Sequence, residues 1–310
     1  MEHWNGELRE VKTEYPILQH SMVKKTMDFV TRRHFLQYLL GLPFLSSFPF
    51  RIQEAWADPP VLPVKRGNSI GEFFNGEELS YEIGVWLFKR VGLGKVSFKE
   101  MKEKGRYIAT LQGETLGVLG WVARYRVDTY RSIMEEVDGG KRLRSISFEE
   151  DVKIGDKLRR RTHFFDYQNR KWIQVRQSYD GIKTRREEEI PPGMVYDDFV
   201  TASYNFRYGV YGEIERGRKY NVATFPKKGP SSYEVRVASK EEEEKRKKSE
   251  KLKDGKEYYV KLLLDPVVTH SKEGVIEGWL SKELYPTEGR IKDVILFGDI
   301  KGTLIKNSRT

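Results

Sequence analysis

Between Val127 and Ile190 the chain repeats one pattern: β-prone runs of alternating apolar and polar residues, each closed by a turn signal. Val127–Met134 leads into Asp138-Gly139-Gly140, and Leu143–Phe148 answers it. Lys157–Tyr167 breaks at Gln168-Asn169, Lys171–Tyr179 at Asp180-Gly181, and Ile182–Ile190 at Pro191-Pro192-Gly193. Asp-Gly and Gly-Gly pairs reach the positive φ of tight hairpin turns, so consecutive runs pair antiparallel. Alternation puts the apolar residues of each run on one face, and that face must be covered or occupied. The chain is therefore expected to be mainly β, an antiparallel meander curled into an open or partial β-barrel.

The flanking sequence extends the same pattern. Leu79–Trp86 alternates most cleanly, and Val91–Lys99, Arg106–Gln112, Lys219–Phe225, Tyr233–Ser239, Val275–Leu280, Ile291–Phe297 and Gly302–Ile305 read as further strands. Tyr258–Leu264 is continuously apolar at Val260 and Leu262–Leu264, which predicts burial on both faces. Glu114–Arg124 is ambiguous, because Leu116, Leu119 and Ala123 suit a helix while Gly117 and Gly120 weaken one. One packed helix is expected after Tyr196-Asp197-Asp198, where either aspartate suits a cap. Lys240–Lys256 sets Glu241–Glu244 before a basic run and predicts a solvated helical hairpin insertion. These segments make one β-rich domain over 74–306, preceded by a proline-rich linker at 58–73.

Residues 1–57 read as a leader. Arg32-Arg33 precede Phe35-Leu36, a mostly apolar run reaches Phe50, and Ala55-Trp56-Ala57 offers a peptidase site. That order of elements is expected of a twin-arginine signal peptide, and the apolar run is short for a membrane span. A start at Met22 or Met27 would give the leader an ordinary length. The expected location is the periplasm, with the machinery that exports folded proteins as a partner. Cysteine is absent, which excludes disulfides, thiolate metal sites and cysteine nucleophiles.

Net charge is +10; the first 57 residues hold seven Lys/Arg against six Asp/Glu, so an excess of nine falls on 58–310. Much of it lies on the meander, with aromatic residues interleaved. In the cytosol that pattern would point to nucleic acid. Behind an export signal nucleic acid is not expected, and the same chemistry suits lipid headgroups, anionic glycan or an acidic protein.

Three segments carry a family resemblance: Gly76-Glu77-Glu78-Leu79-Ser80-Tyr81; Ile190-Pro191-Pro192-Gly193 with Tyr196-Asp197; and Gly278-Trp279-Leu280-Ser281 with Gly302-Thr303-Leu304. In order and spacing they resemble the bacterial envelope family called domain of unknown function 3108, over about Phe74–Ile305. The resemblance implies an exported, β-rich protein and no established activity. The chain departs from it at Lys282–Pro286, where an acidic-then-basic continuation is usual, and in the Lys240–Lys256 insertion.

No residue set declares a reaction. His163 and His270 stand without a second histidine at metal-ligand spacing, and each reads as a solvated strand or loop residue. No Gly-x-Ser-x-Gly elbow supports a triad. Glu187–Glu189 alternates along a strand, and Gly92-x-Gly94 opens no helix. No cofactor, metal or enzymatic activity is expected. Two readings stand. The first is a binding or carrier module, with Tyr81, Ile83, Trp86, Tyr107 and Trp172 lining an apolar concave face and Arg159, Arg161, Arg176 and Arg185 meeting an anion. The second is an envelope assembly protein with a filled core, docking a protein through its basic face.

Overall fold

The structure is a computed structural model that describes residues 68–85, 88–225, 232–250, 252, 255–264, 271–294 and 298–309. The chain divides into units Met1–Ala57 and Asp58–Thr310. The expected leader, with Arg32, Arg33, Ala55 and Ala57, lies outside the described residues, as do Trp86 and His270.

The described part of the second unit opens with helix α1 (Ile70–Phe74), capped by the Ser69 hydroxyl, which accepts from the Glu72 amide at 3.2 Å. Ile70, Phe73 and Phe74 are buried, so the domain begins inside the stretch expected to be linker. Strands β1 (Glu77–Val85), β2 (Phe88–Glu100) and β3 (Arg106–Thr115) follow, then α2 (Gly117–Val122), the short helix that resolves the ambiguous segment. The meander comprises β4 (Val127–Val137), β5 (Arg142–Ile154), β6 (Lys157–Asp166), β7 (Lys171–Gln177) and β8 (Lys183–Glu189). Helix α3 (Phe199–Tyr208), β9 (Lys219–Ala223), β10 (Ser232–Val237) and α4 (Lys240–Glu250) come next. The unit closes with β11 (Tyr258–Leu263), β12 (Val275–Leu280), β13 (Pro286–Val294) and β14 (Gly298–Arg309).

The fourteen strands among the described residues form one antiparallel sheet, in the order β8 to β1 and then β14 to β9. The first and last strands pair mid-sheet, Glu77 opposite Arg309 and Val85 opposite Ile300. The free edges are β8 and β9, neighbours in sequence that do not pair, so the barrel stays open. The segment joining them carries α3. Dense charge on β8, basic at Lys183, Arg185 and Arg186 and acidic from Glu187 to Glu189, protects one edge against pairing with another chain. Register shifts at Ser80/Tyr81, Ile133/Met134 and Trp279/Leu280 mark bulges, which add bend and twist to a sheet of this width.

Helix α3 divides the interior. Tyr204 and Val200 join Phe74, Phe98, Tyr107, Met134, Phe148, Phe165 and Trp172 in a core covering β2–β7. Ala202 and Phe206 face a second core from β9–β12, with Val222, Tyr233, Val235 and Leu280. Gly209 ends the helix at φ 88°, a left-handed turn that glycine enters without steric cost.

The charged insertion differs from expectation. It is one helix docked on the outer face of β11–β13, not a solvated hairpin. Glu243 is buried, accepting from the Tyr259 amide at 3.1 Å and from Arg216 at 2.8 Å. Arg246 reaches Glu277 at 3.0 Å, and Arg290 reaches Glu250 at 3.1 Å. The helix covers Trp279 and Tyr259, so buried carboxylates rather than an apolar stripe fix it in place. Strand β11 is half-buried except at buried Tyr259 and exposed Leu263, not buried along both faces as its apolar run predicted.

Candidate binding cavity

The residues around α3 form three polar clusters and one apolar hollow. Asp198 caps α3, its Oδ1 accepting from the Val200 and Thr201 amides at 2.9 and 3.0 Å. Its Oδ2 accepts from the hydroxyls of Ser132, Ser145 and Thr201 at 2.6, 2.8 and 2.8 Å. One carboxylate thus ties the helix start to β4 and β5. Next to it, Asp197 Oδ2 accepts from Arg142, from the Tyr211 hydroxyl at 2.6 Å and from Asn205 at 3.3 Å. Burial pushes the Asp197 carboxyl up to about 6, against the opposing pull of Arg142 and Tyr211.

At the other end of the helix, Arg207 grips Glu77 with both terminal nitrogens, at 2.7 and 2.6 Å, while Arg309 adds a bond at 2.9 Å. Burial alone would raise the Glu77 carboxyl, but the two guanidinium groups together hold it below the usual carboxylate range. Arg207 Nε also donates to the Leu284 carbonyl at 2.8 Å, anchoring the β12–β13 turn. The segments that carry the family resemblance therefore have structural work: Glu77 and Asp197 hold α3, and the Tyr81 hydroxyl donates to the Pro286 carbonyl at 2.8 Å. Gly278 lets β13 approach closely, since a Cβ there would stand 2.8 Å from the Glu288 carbonyl oxygen. Trp279 packs beneath α4, and Ser281 Oγ accepts from the Tyr285 amide at 3.2 Å.

Between α3 and β9–β13 lies a cavity of about 220 Å³. Ala202, Ser203 and Phe206 of the helix line one side, and Val235, Leu262 and Ile276 the other. Ser203 is exposed although its helix neighbours are buried, so the hollow reaches solvent at that position. Arg207 borders it but is committed to Glu77 and Leu284. These lining residues were missed in the sequence, because short alternating strands look the same whether they face a neighbour or a hollow.

The residues expected to line the concave face divide differently. Tyr107 and Trp172 are buried in the filled core, Tyr107 stacked on Phe98 at 5.2 Å. Tyr81 and Ile83 are half-buried on the inward face of β1, outside the cavity lining. His163 is a correction too: it is fully buried, accepting at Nδ1 from Trp172 Nε1 at 3.2 Å, with Nε2 3.4 Å from Glu150.

Of the expected anion contacts, Arg159, Arg161 and Arg176 share one face with His163 and Trp172, because same-face residues recur every second position. Arg161 stands directly opposite Arg176. Arg161 meets Glu150 at 3.3 Å, and Arg159 lies over the Tyr179 ring at 5.8 Å. Arg185 is on the opposite face, paired with Glu187 at 3.0 Å. Much of the remaining basic surface is neutralised by cross-strand pairs, among them Arg160 with Asp151 at 2.7 Å and Arg131 with Asp151 at 3.1 Å. Among the described residues no group of His, Cys, Asp or Glu has the arrangement of a metal site. No described helix is long and apolar enough to cross a membrane.

An open antiparallel barrel wrapped on one helix, with an apolar hollow beside it, is the class that fold and site define. The chain belongs to the family described as "Protein of unknown function (DUF3108)", which matches residues 80–305. Among solved structures it is similar to a beta-barrel-like protein of domain of unknown function DUF1849 from Brucella abortus. The identity is 10%, the match covers 76% of this chain and 98% of that one, and the TM-score is 0.41. No curated protein matches.

Proposed function

We propose that the protein is a non-catalytic binding or carrier module of the cell envelope, taking the apolar part of an amphiphilic ligand into the hollow beside α3. The observation that carries this reading is the cavity itself. An apolar void of roughly 150 Å³ already holds a benzene-sized guest, whereas sites for larger molecules span about 300–1,000 Å³. At about 220 Å³ the hollow suits a segment of acyl chain or a single ring.

The ligand's anionic group is proposed to meet Arg159, Arg161 and Arg176. The supporting geometry is proximity along the chain: Phe225, just past β9 and three positions after Val222 of the cavity, packs on the His163 ring at 4.3 Å. Arg161 is two positions from His163 on that same face. An export signal at Arg32-Arg33 would place the module in the periplasm.

Native mass spectrometry of the protein purified from its own envelope fraction, followed by organic extraction, tests the proposal. A bound mass that moves into the organic phase is the expected result. A protein that flies at its calculated mass, with nothing extracted, would overturn it.

A further inference from the structure

Six of the eleven exposed large apolar side chains among the described residues belong to two connections at the same end of the sheet, 116–126 and 178–182, with the β5–β6 turn between them. They are Val118, Trp121, Val122, Tyr125, Tyr179 and Ile182. Val118 and Trp121 are 71% exposed, Ile182 62% and Tyr125 61%, so most of each side chain faces solvent. Scattered exposed apolar residues are ordinary, but a contiguous group marks an interaction surface.

The connection is a built platform. The Thr115 amide donates to the Arg126 carbonyl at 3.0 Å, closing its base, and the Leu116 amide donates to the Val91 carbonyl at 2.7 Å. The Gly155 amide donates to the Arg124 carbonyl at 2.8 Å, tying it to the β5–β6 turn. Arg124 and Tyr125 are held at φ 56° and 51°, left-handed for two consecutive residues that are not glycine. Such a conformation costs of order 1 kcal/mol per residue and persists only where its surroundings enforce it. Its effect is to turn the chain back beneath α2, so that Val118, Trp121 and Val122 project outward.

Cations surround this projection. Lys89, Arg90, Arg124, Lys153, Lys157 and Lys183 are exposed at the same ends of β2–β8, against exposed Asp156 and Asp180. Arg159 over Tyr179 joins the second connection to the cluster. A protruding tip carrying Trp and Tyr, collared by Lys and Arg, fits a deformable layer with an apolar interior and anionic headgroups. Amphipathic rings settle at headgroup depth, and each nearby cation adds attraction to an anionic leaflet.

We propose that α2 and the 178–182 turn dock this protein on an anionic lipid bilayer, Trp121 and Val118 entering the interfacial layer and the basic collar pairing with headgroups. The inference shares Arg159 with the ligand-binding reading but does not need that reading. Because the chain has no cysteine, Val118→Cys provides a single attachment point for a polarity-sensitive fluorophore. Met194→Cys, exposed beyond the other end of β8, provides the control. The full chain is mixed with phosphatidylcholine vesicles, with or without phosphatidylglycerol, some carrying brominated acyl chains.

The expected result is a blue shift and bromine quenching at position 118 only with phosphatidylglycerol present, and neither effect at position 194. Trp121→Ser with Val122→Ser should weaken vesicle binding at least about tenfold, and Arg124→Ser about fivefold. Equal responses at both positions, equal binding to neutral vesicles, or no response at position 118 would each overturn the proposal. The last would leave the tip to a protein partner.

Discussion

Replacing Arg207 by methionine removes a guanidinium from a buried pair while keeping most of the side-chain volume. Glu77 is fully buried and accepts two bonds from Arg207, at 2.7 and 2.6 Å, and one from the less buried Arg309 at 2.9 Å. Breaking a buried pair from one side costs about 3–5 kcal/mol, because the abandoned charge stays out of water. Arg309 moderates that cost, whereas the lost bond to the Leu284 carbonyl adds about 1 kcal/mol. Arg207→Met should therefore destabilise by about 4 kcal/mol, read from urea unfolding followed by tryptophan fluorescence near neutral pH. Glu77→Gln with Arg207→Met should cost less than the two single changes together, with a coupling of at least about 2 kcal/mol.

The pH dependence has a definite sign. In the parent Glu77 is held below its ordinary value, so its contribution is present above the unfolded carboxylate range and is lost as pH falls through the folded value. In Arg207→Met burial dominates and the shift reverses, so the variant's deficit should shrink on acidification towards about pH 5. A loss below about 1 kcal/mol, or additive single changes, would refute the view that this pair anchors α3.

Other expectations follow from the same contacts. Asp197, pushed up to about 6, binds its proton more tightly folded than unfolded, so its ionisation penalises folding above that value and the penalty fades as pH falls. Asp197→Asn should thus lose less stability than the parent between about pH 5 and 7, and equal slopes in urea titrations would contradict this. Glu243→Gln weakens the bonds to Arg216 and the Tyr259 amide and should cost about 1–3 kcal/mol, seen as faster hydrogen exchange in α4. Unchanged protection would mean that α4 is held otherwise.

The alternation from Val127 to Ile190 was legible because each run carries its own turn chemistry, and β4 to β8 follow it closely. Strand β5 outran its reading because Glu149, Glu150 and Asp151 look like a loop until cross-strand arginines stand beside them. Helix α1 was hidden because five residues are too few to show periodicity after a proline-rich stretch. Tyr107 and Trp172 alternate as cavity-lining residues would, and only the tertiary arrangement shows that Phe98 and His163 fill the space they face. The cluster on Asp198 had one unread signal: Ser132 and Ser145 at inward positions among Met134 and Leu143, polar groups that burial obliges to find a partner. The pairing of β1 with β14 joins opposite ends of the domain, and nothing local in either strand announces it.

The central claim is that the hollow beside α3 is a ligand site. Titration with cis-parinaric acid, a fluorescent acyl chain, compared between the parent and Ser203→Trp, tests it most directly. Ser203 is exposed and borders the cavity, so the indole should fill the hollow without disturbing the core. Saturable binding by the parent and binding at least about tenfold weaker in the variant, a difference of about 1.4 kcal/mol, is the predicted result, with the urea midpoint unchanged. Equal binding by both proteins, or none by the parent, would contradict the account.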